Sequence, residues 1–172
     1  MLVKNVKADW LFLNRTDDNG KFRVTFYPTA EQDAEIRKAL AQCAKENGVN
    51  IKDCQWKGGY KETENGVSYT AKASEVFTNK KGVEVTRTLP VFNIHAQRFP
   101  DGEVPSVANG AMVNLDLNTY FVKSKMGKGA MLGLQAVQLL SYEVYQGGSS
   151  NPFADESGET PFTADDGAVD VF

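Results

Sequence analysis

The chain has 172 residues, of which 41% are hydrophobic and 10% aromatic, and this is enough to build one domain around a single core. Its two cysteines, Cys43 and Cys54, and its one histidine, His95, are too few for a disulfide framework or a metal site, so we expect reduced thiols and no cofactor. The net charge of −3 argues at first against a nucleic-acid partner, and the lack of a nucleophile signature argues against an enzyme.

The charge is distributed unevenly along the chain. Residues 147–172 contain six acidic residues and no Lys or Arg, which leaves 16 acidic and 19 basic residues in positions 1–146. The sequence therefore predicts a mildly cationic domain at 1–146 and a flexible acidic tail at 147–172, which begins with a Gly-Gly-Ser-Ser linker. No apolar run approaches the roughly 20 residues that a bilayer requires, so we expect a cytoplasmic protein without a membrane partner.

A β-hairpin is predicted at the start of the chain. Val3 to Leu13 is apolar enough for a first strand, and residues 17–20 (Asp-Asp-Asn-Gly) supply the turn. In the returning strand alternate residues are apolar, so Tyr27 shares the polar face with Lys21 and Arg23. A ring beside cations suits a nucleic-acid surface, which makes Arg23 and Tyr27 candidate DNA contacts.

One amphipathic helix is predicted after Pro28. Thr29 and Gln32 form a capping box, apolar residues recur at spacings of three and four, and Gly48 is a suitable C-terminal stop. The other face carries charges of both signs, as expected of a solvent-exposed surface. We interpret the helix as a lid that covers one end of a small β-barrel rather than as an element that reads DNA.

The segment from Trp56 to Lys61 (Trp-Lys-Gly-Gly-Tyr-Lys) interleaves two aromatic residues with two lysines. A base can stack on an exposed ring while neighbouring lysines bind its phosphates. The candidate DNA contacts here are Trp56, Lys57, Tyr60 and Lys61. The alternative is that Trp56 closes one end of the core, and the pattern favours neither interpretation.

The middle of the chain carries further strands. Val67 to Phe77 alternates cleanly and directs Tyr69 toward the core, and Val83 to Ile94 holds strand material that Pro90 interrupts. His95 follows and is interpreted as a structural residue at a strand end.

The stretch that begins at Gly110 combines an alternating strand with a cationic loop. The alternation over residues 112–120 places Tyr120 on a polar face with Asn118, directly before a loop that holds three lysines. Such a surface suits single-stranded nucleic acid, because every base has a π face and every nucleotide a phosphate. The alternative is an ordinary soluble turn. The candidate DNA contacts here are Tyr120, Lys123, Lys125 and Lys128.

The segment from Ala130 to Tyr145 is ambiguous by pattern. Its residue types and spacing narrowly favour a helix, whereas a strand requires a break in register near Gln135 or Ala136. The periodicity alone therefore predicts a helix.

The order and spacing of several motifs resemble the replicative single-stranded-DNA-binding proteins of tailed bacteriophages. These motifs are Phe26-Tyr27-Pro28 directly before a helix, the Val67–Phe77 strand, Val104-Pro105, the Val113–Leu117 strand leading to Tyr120, the block from Gly127 to Gln138, and the Gly-Gly junction to an acidic tail ending in Phe172. The resemblance covers nearly the whole length. Where some relatives carry a tryptophan, this chain has Val122, which shifts the expected stacking toward Trp56 or Tyr60.

The resemblance implies a mainly β fold: an OB-type five-stranded barrel with one α-helix inserted after the second strand, followed by a disordered acidic C-terminal tail. It makes Ala130–Tyr145 the last barrel strand and assigns Tyr120 to the DNA-stacking surface. It also implies a non-enzymatic, sequence-nonspecific single-stranded-DNA-binding protein of phage DNA replication or recombination, acting in the bacterial host cell.

The tail has an expected role of its own. An anionic tether can cover the cationic groove until DNA displaces it, and by resemblance its end docks on phage replication proteins such as the polymerase and the helicase-primase. The residues expected to make that contact are Asp165, Asp166, Asp170, Val171 and Phe172. A homodimer or a cooperative assembly on DNA is also compatible with the sequence. The rival interpretation is a phage structural (head or tail) β-protein that binds no nucleic acid.

Overall fold

The computed structural model describes residues 1–145, which contain ten β-strands and one α-helix. The strands are β1 (Leu2–Phe12), β2 (Lys21–Tyr27), β3 (Trp56–Lys57), β4 (Lys61–Thr63), β5 (Gly66–Ser74), β6 (Val76–Thr78), β7 (Glu84–Thr86), β8 (Val91–Phe92), β9 (Ala111–Ser124) and β10 (Gly127–Ser141). The helix, α1, spans Ala30–Glu46 and follows β2. The predictions for the acidic tail at 147–172 fall outside the described residues.

Five of the strands close a barrel. β1 pairs with β2, β2 with β5, β5 with β10, β10 with β9, and β9 pairs back with β1. The β5–β10 pair is parallel and the other four pairs are antiparallel. Numbered along the chain, the barrel strands are adjacent in the order 1-2-3-5-4-1, which is the arrangement of an OB-fold. This confirms the predicted barrel and the position of the helix after its second strand.

Alternate residues of the barrel strands fill the interior. Leu115 and Leu117 of β9 are buried, as the alternation predicts, and Leu132 and Leu134 of the neighbouring β10 are buried beside them. Tyr69 of β5 is also buried, which confirms its predicted place in the core. Each fully buried aliphatic side chain of this kind contributes about 1.5–3 kcal/mol to the free energy of unfolding.

The helix packs on the barrel, as its apolar stripe predicts. The capping box is present, with the Thr29 N–H donating to Gln32 Oε1 at 2.9 Å. The helix contacts β9 and β10, Ile36 is fully buried, and the charged face of α1 is exposed. The Tyr69 hydroxyl donates to Asp33 Oδ1 at 2.6 Å and ties the helix to β5. No helix among the described residues is long and apolar enough to cross a membrane.

The last barrel strand corrects the prediction made from periodicity alone. Gly127–Ser141 is a strand, as the resemblance implies, and the helix that the spacing favoured is wrong. The register with β9 shifts between Leu134 and Ala136, at the position where a strand would need a break. This bulge hides the two-residue period, and pairing with neighbours on both edges outweighs the helical preference of Ala, Met, Leu and Gln.

Two further details refine the sequence interpretation. The strand predicted from Val67 to Phe77 is interrupted, because β5 ends at Ser74 and β6 pairs with β7 in a separate hairpin. Cys43 and Cys54 are both buried and unpaired, as expected for ordinary thiols.

Candidate nucleic-acid interface

A groove of about 400 Å³ lies on the outer face of the barrel, where β1, β2, β5 and β10 present their solvent-facing residues. We call it the barrel groove. It is lined by Trp10, Arg23, Thr25, Tyr27, Gly59, Lys61, Thr63, Ser68, Thr70, Lys72 and Met131. Within residues 1–145 no carboxylate and no carboxamide side chain lines this groove. Its charged lining residues are Arg23, Lys61 and Lys72, so the groove is positively charged.

Three cations from three strands meet in the barrel groove. Arg23 of β2 lies directly opposite Lys72 of β5, and Lys61 of β4 reaches the same space. Like charges that face each other across a strand pair destabilise the sheet by about 0.2–1 kcal/mol. A bound anion such as a phosphate removes that repulsion, so the arrangement favours a polyanionic ligand.

The Arg23 guanidinium is held in place by neighbouring groups, but not all of its hydrogen-bond donors have a partner. It lies 5.1 Å from the centre of the Phe12 ring, and its Nη1 is 3.8 Å from Asp17 Oδ2. Its buried Nε has no hydrogen-bond partner within the described part of the chain. The group is therefore held in place by a ring and one carboxylate, and its side chain remains 28% exposed, so that the terminal N–H groups can reach a phosphate oxygen.

Trp10 has an exposed indole ring, and a bulge in the backbone of β1 directs this ring to the barrel groove. The pairing of β1 with β2 shifts between Asp9 and Phe12, and Trp10 has a left-handed φ of 54°. Its backbone N–H donates to Asn109 Oδ1 at 2.8 Å, and the residue is 57% exposed. This conformation costs a bulky residue about 1–3 kcal/mol and is characteristic of functional sites. The strained bulge and the exposed ring therefore make Trp10 a candidate functional residue.

Tyr27 lies at the end of the barrel groove, half-buried on the polar face of β2. Its hydroxyl donates to Asp9 Oδ2 at 3.0 Å, and Lys7 Nζ lies 5.9 Å from the ring centre. Burial and the nearby Asp9 carboxylate both raise the pKa of Tyr27.

Tyr120 stands where the alternation of β9 predicts, on the outer face with Asn118 and with its side chain 38% exposed. It lies directly opposite Met131, which lines the barrel groove. Tyr120 is thus one strand beyond the groove, and partial burial raises the pKa of its hydroxyl. Met131 therefore lies between Tyr120 and the groove that Trp10 and Tyr27 line.

The chain is similar in fold to several solved structures. One is gp2.5, a single-stranded DNA binding protein encoded by bacteriophage T7, at 17% identity and a TM-score of 0.63, covering 94% of this chain and 96% of that one. Another is the single-stranded DNA-binding protein from bacteriophage Enc34, at 14% identity and a TM-score of 0.63, covering 86% of this chain and 84% of that one. The Enc34 protein in complex with single-stranded DNA matches at 14% identity and a TM-score of 0.58, covering 84% and 88%.

No protein-family model and no curated protein matches this sequence. At 14–17% identity the structural likeness shows the fold alone. At that level it confirms the resemblance drawn from the sequence, and the roles of individual residues stay predictions.

The predicted lysines of the β9–β10 hairpin lie apart from the barrel groove. Lys123 pairs with Lys128 across the hairpin, and both alternate away from the face that carries Tyr120. Lys128 is half-buried, with its N–H donating to Gln55 Oε1 at 2.9 Å, whereas Lys123 and Lys125 are exposed. These lysines extend a cationic edge beyond the groove instead of lining it.

The segment from 56 to 61 divides its residues between two surfaces. Trp56 is half-buried in β3 beside β10, and Tyr60 packs against Tyr69 with ring centres 5.6 Å apart. The Arg37 guanidinium lies 4.7 Å from the centre of the Tyr60 ring. Of this segment's four candidate contacts, only Lys61 lines the barrel groove.

The remaining predicted residues are placed as follows. His95 is exposed in a turn, where its backbone N–H donates to Asn93 Oδ1 at 2.9 Å, and a structural role for its side chain stays a prediction. Across positions 1–145, no group of three or more His, Cys, Asp or Glu side chains could hold a metal ion. The expected partner contacts (Asp165, Asp166, Asp170, Val171 and Phe172) lie outside the described residues.

Sequence reasoning missed Trp10 and Lys72. Lys72 alternates with core residues of β5, but its relation to Arg23 depends on a strand pairing across 49 residues of chain. Trp10 was interpreted only as part of an apolar strand. The available signal was the alternation of the next residues, since Leu11 and Leu13 are buried and leave Trp10 on the other side.

We expect Lys72→Gln to leave the free energy of unfolding unchanged or to raise it by up to about 1 kcal/mol, because it removes a like charge opposite Arg23. Urea denaturation at low salt measures the effect, and high salt is expected to remove any gain by screening. Lys81→Gln, at an exposed turn, is the matched control. A clear loss of stability relative to this control would contradict the repulsion.

Proposed function

We propose that this chain binds single-stranded DNA in the barrel groove, without enzymatic activity and with little sequence preference. The observation that carries the proposal is the meeting of three cations (Arg23, Lys61 and Lys72) with the exposed ring of Trp10 in one groove that no carboxylate lines within residues 1–145. The cations fit the phosphates and the ring fits a base.

The chemistry of the groove supports a single strand over a duplex. Bases of a single strand are free to stack on Trp10, Tyr27 and Tyr120, whereas those of a duplex already stack on each other. The hydroxyls of Thr25 and Thr70 lie 3.2 Å apart between the charged residues and suit sugar and phosphate oxygens. The carboxamide side chains that read base edges do not line the groove in the described region, which fits binding of any sequence.

The fold neighbours support the same proposal, since one of them is a single-stranded-DNA-binding protein solved in complex with single-stranded DNA. We extend the proposal to a role in phage DNA replication or recombination, in the cytoplasm of a bacterial host. The acidic tail at 147–172 would cover the groove in the absence of DNA and recruit replication partners through Asp165, Asp166, Asp170, Val171 and Phe172.

Titration of oligo(dT) at two salt concentrations tests the proposed function. Three phosphate contacts are expected to give a slope of about −2 in a plot of log K against log salt, at about 0.7 per phosphate for a single strand. Absence of salt-dependent binding, together with co-purification with phage particles, would instead support a structural role.

Trp10→Ala is expected to weaken oligo(dT) binding by about 1–3 kcal/mol, the usual contribution of one stacked base, and Tyr120→Ala is expected to weaken it comparably. Fluorescence titration measures both, with Trp56→Phe as the control because Trp56 lies outside the groove. Unchanged affinity in Trp10→Ala alongside lost affinity in Trp56→Ala, which removes the ring, would show that the stacking platform lies at β3.

Truncation after Gly148 is expected to tighten oligo(dT) binding at low salt and to abolish binding of replication partners, because it removes both a competing anion and a docking peptide. Filter binding with the full chain as reference measures the first effect. Equal affinities at low salt would remove the competition hypothesis and leave DNA binding itself untouched.

A further inference from the structure

A small hairpin lies outside the barrel sheet, directly after β5. Within the described chain, its strands β6 and β7 pair with each other and not with the barrel. We call it the β6–β7 hairpin. Its apolar residues Val76, Phe77 and Val83 are exposed, and none of them belongs to the core of the described domain. A two-stranded hairpin that packs on nothing is marginally stable in water, so packing in the core does not explain why these residues are apolar.

The β6–β7 hairpin is nevertheless fixed at its base and at its tip. The Arg87 backbone N–H donates to the Glu75 carbonyl oxygen at 2.8 Å, and Arg87 Nε donates to the Ser74 carbonyl oxygen at 2.8 Å. At the tip, Asn79 Oδ1 accepts from the backbone N–H of Lys81 at 2.9 Å. The side chains of the hairpin are therefore presented from a defined backbone.

The tip of the hairpin is cationic. Lys80 and Lys81 are both exposed there, and neither forms an ion pair within residues 1–145. The acidic residue that follows them is Glu84 of β7. In the pairing of the two strands Val85 lies opposite Phe77, so Glu84 belongs to the other face of the hairpin from Phe77.

Phe77 supplies an exposed aromatic ring on the face of the hairpin that Arg87 shares. The Arg87 guanidinium lies 5.1 Å from the centre of the Phe77 ring, and its bond to Ser74 holds it there. Val76, the other exposed apolar residue of β6, alternates to the opposite face. The apolar residues therefore do not form one broad patch of the kind that a protein partner would cover, whereas a single ring beside cations suits a nucleotide.

The hairpin continues a row of cations that begins in the barrel groove. Arg23 pairs with Lys72 across β2 and β5, and the next outward-facing pair, about 7 Å along the strands, is Lys21 with Ser74. Lys21 Nζ donates to Ser74 Oγ, and Arg87 is bound to the carbonyl oxygen of the same serine. A cationic path therefore leads from the barrel groove to the base of the hairpin.

We propose that the β6–β7 hairpin is a second contact site for the single-stranded DNA that the barrel groove holds. A base stacks on Phe77, and phosphates bind Lys80 and Lys81. Contact at the hairpin rests on the function proposed above and adds to it a site outside the barrel. The tip lies six residues beyond Ser74 and can reach up to about 20 Å from the end of β5, so the hairpin lengthens the path of the bound strand.

The double variant Lys80→Gln/Lys81→Gln tests the phosphate contacts in the full-length chain. With oligo(dT) of about 25 nucleotides, longer than the roughly 4–16 nucleotides that one OB-fold covers, we expect the slope of log K against log salt to become shallower by about 1.4, at about 0.7 per phosphate. The matched control, Lys38→Gln/Lys45→Gln, removes two exposed lysines from the charged face of α1 and is expected to keep the slope of the unaltered chain. Equal slopes in the two double variants would overturn the inference and leave the hairpin to a protein partner.

Two substitutions of Phe77 test the ring while they keep an apolar side chain at an exposed position. Phe77→Leu removes the stacking surface and is expected to weaken binding of the same oligonucleotide by about fivefold or more, whereas Phe77→Trp is expected to retain the affinity. Equal affinity in Phe77→Leu and the unaltered chain would overturn the role of the ring.

Photo-crosslinking separates failure of the hairpin contact from failure of the proposed function. Oligo(dT) that carries bromodeoxyuridine is crosslinked to the full-length chain, and the attached peptides are mapped by mass spectrometry. We expect crosslinks at Phe77 as well as at Trp10 or Tyr27. Crosslinks at Trp10 or Tyr27 without any in residues 76–87 would overturn the hairpin contact and leave the groove in place, whereas no binding by the unaltered chain would overturn the proposed function and the hairpin contact together.

Discussion

The two-sided pairing of β10 is the constraint on which the rest of the structure depends. This strand pairs with β9 along one edge and with β3, β5 and β8 along the other, and it thereby closes the barrel. At Gly129 the approach of β3 is so close that a Cβ atom would overlap the backbone of Trp56. Closure of the barrel places Lys72 of β5 beside β10, and it places Met131 of β10 opposite Tyr120 of β9. The pairing of β10 therefore determines where these candidate binding residues lie relative to one another.

The barrel groove holds two features that reduce stability. Arg23 and Lys72 face each other as like charges, and Trp10 occupies a left-handed conformation. The conformation persists because the loop before β9 holds the bulge from both sides: Asn109 Oδ1 accepts from Trp10, and the Gly110 N–H donates to Asp9 Oδ1 at 2.8 Å. The bulge also lets Leu11 and Leu13 enter the core after Ala8. The charge pair has no such role in the core, and a bound polyanion would compensate for its repulsion.

Local patterns predicted the parts of the site that lie within one strand. Strict alternation correctly predicted that Tyr120 and Tyr27 lie on the outer faces of their strands. The prediction holds because β9 and β2 contain no bulge between their buried residues and these tyrosines. The relation of Arg23 to Lys72 was not predictable, since it arises from pairing of strands distant in sequence. The exposure of Trp10 was not predicted, because a bulge in β1 changes which face of the strand the following residues occupy. The bulge at Leu134–Ala136 has the same effect in β10, where it made the periodicity resemble that of a helix.

In the segment from 57 to 61, the alternation of rings and lysines in the sequence did not predict which surface of the barrel each side chain would line. Gly58 and Gly59 have φ values of 66° and 69°, and a Cβ at Gly58 would press on Leu40 at 2.9 Å. This backbone places Lys57 beside α1, in a pocket that Leu40 and Ile51 also line, and Lys61 in the barrel groove. Two lysines only four positions apart in the sequence therefore line two different surfaces, because the glycine pair between them adopts a conformation that the periodicity of the neighbouring residues does not reveal.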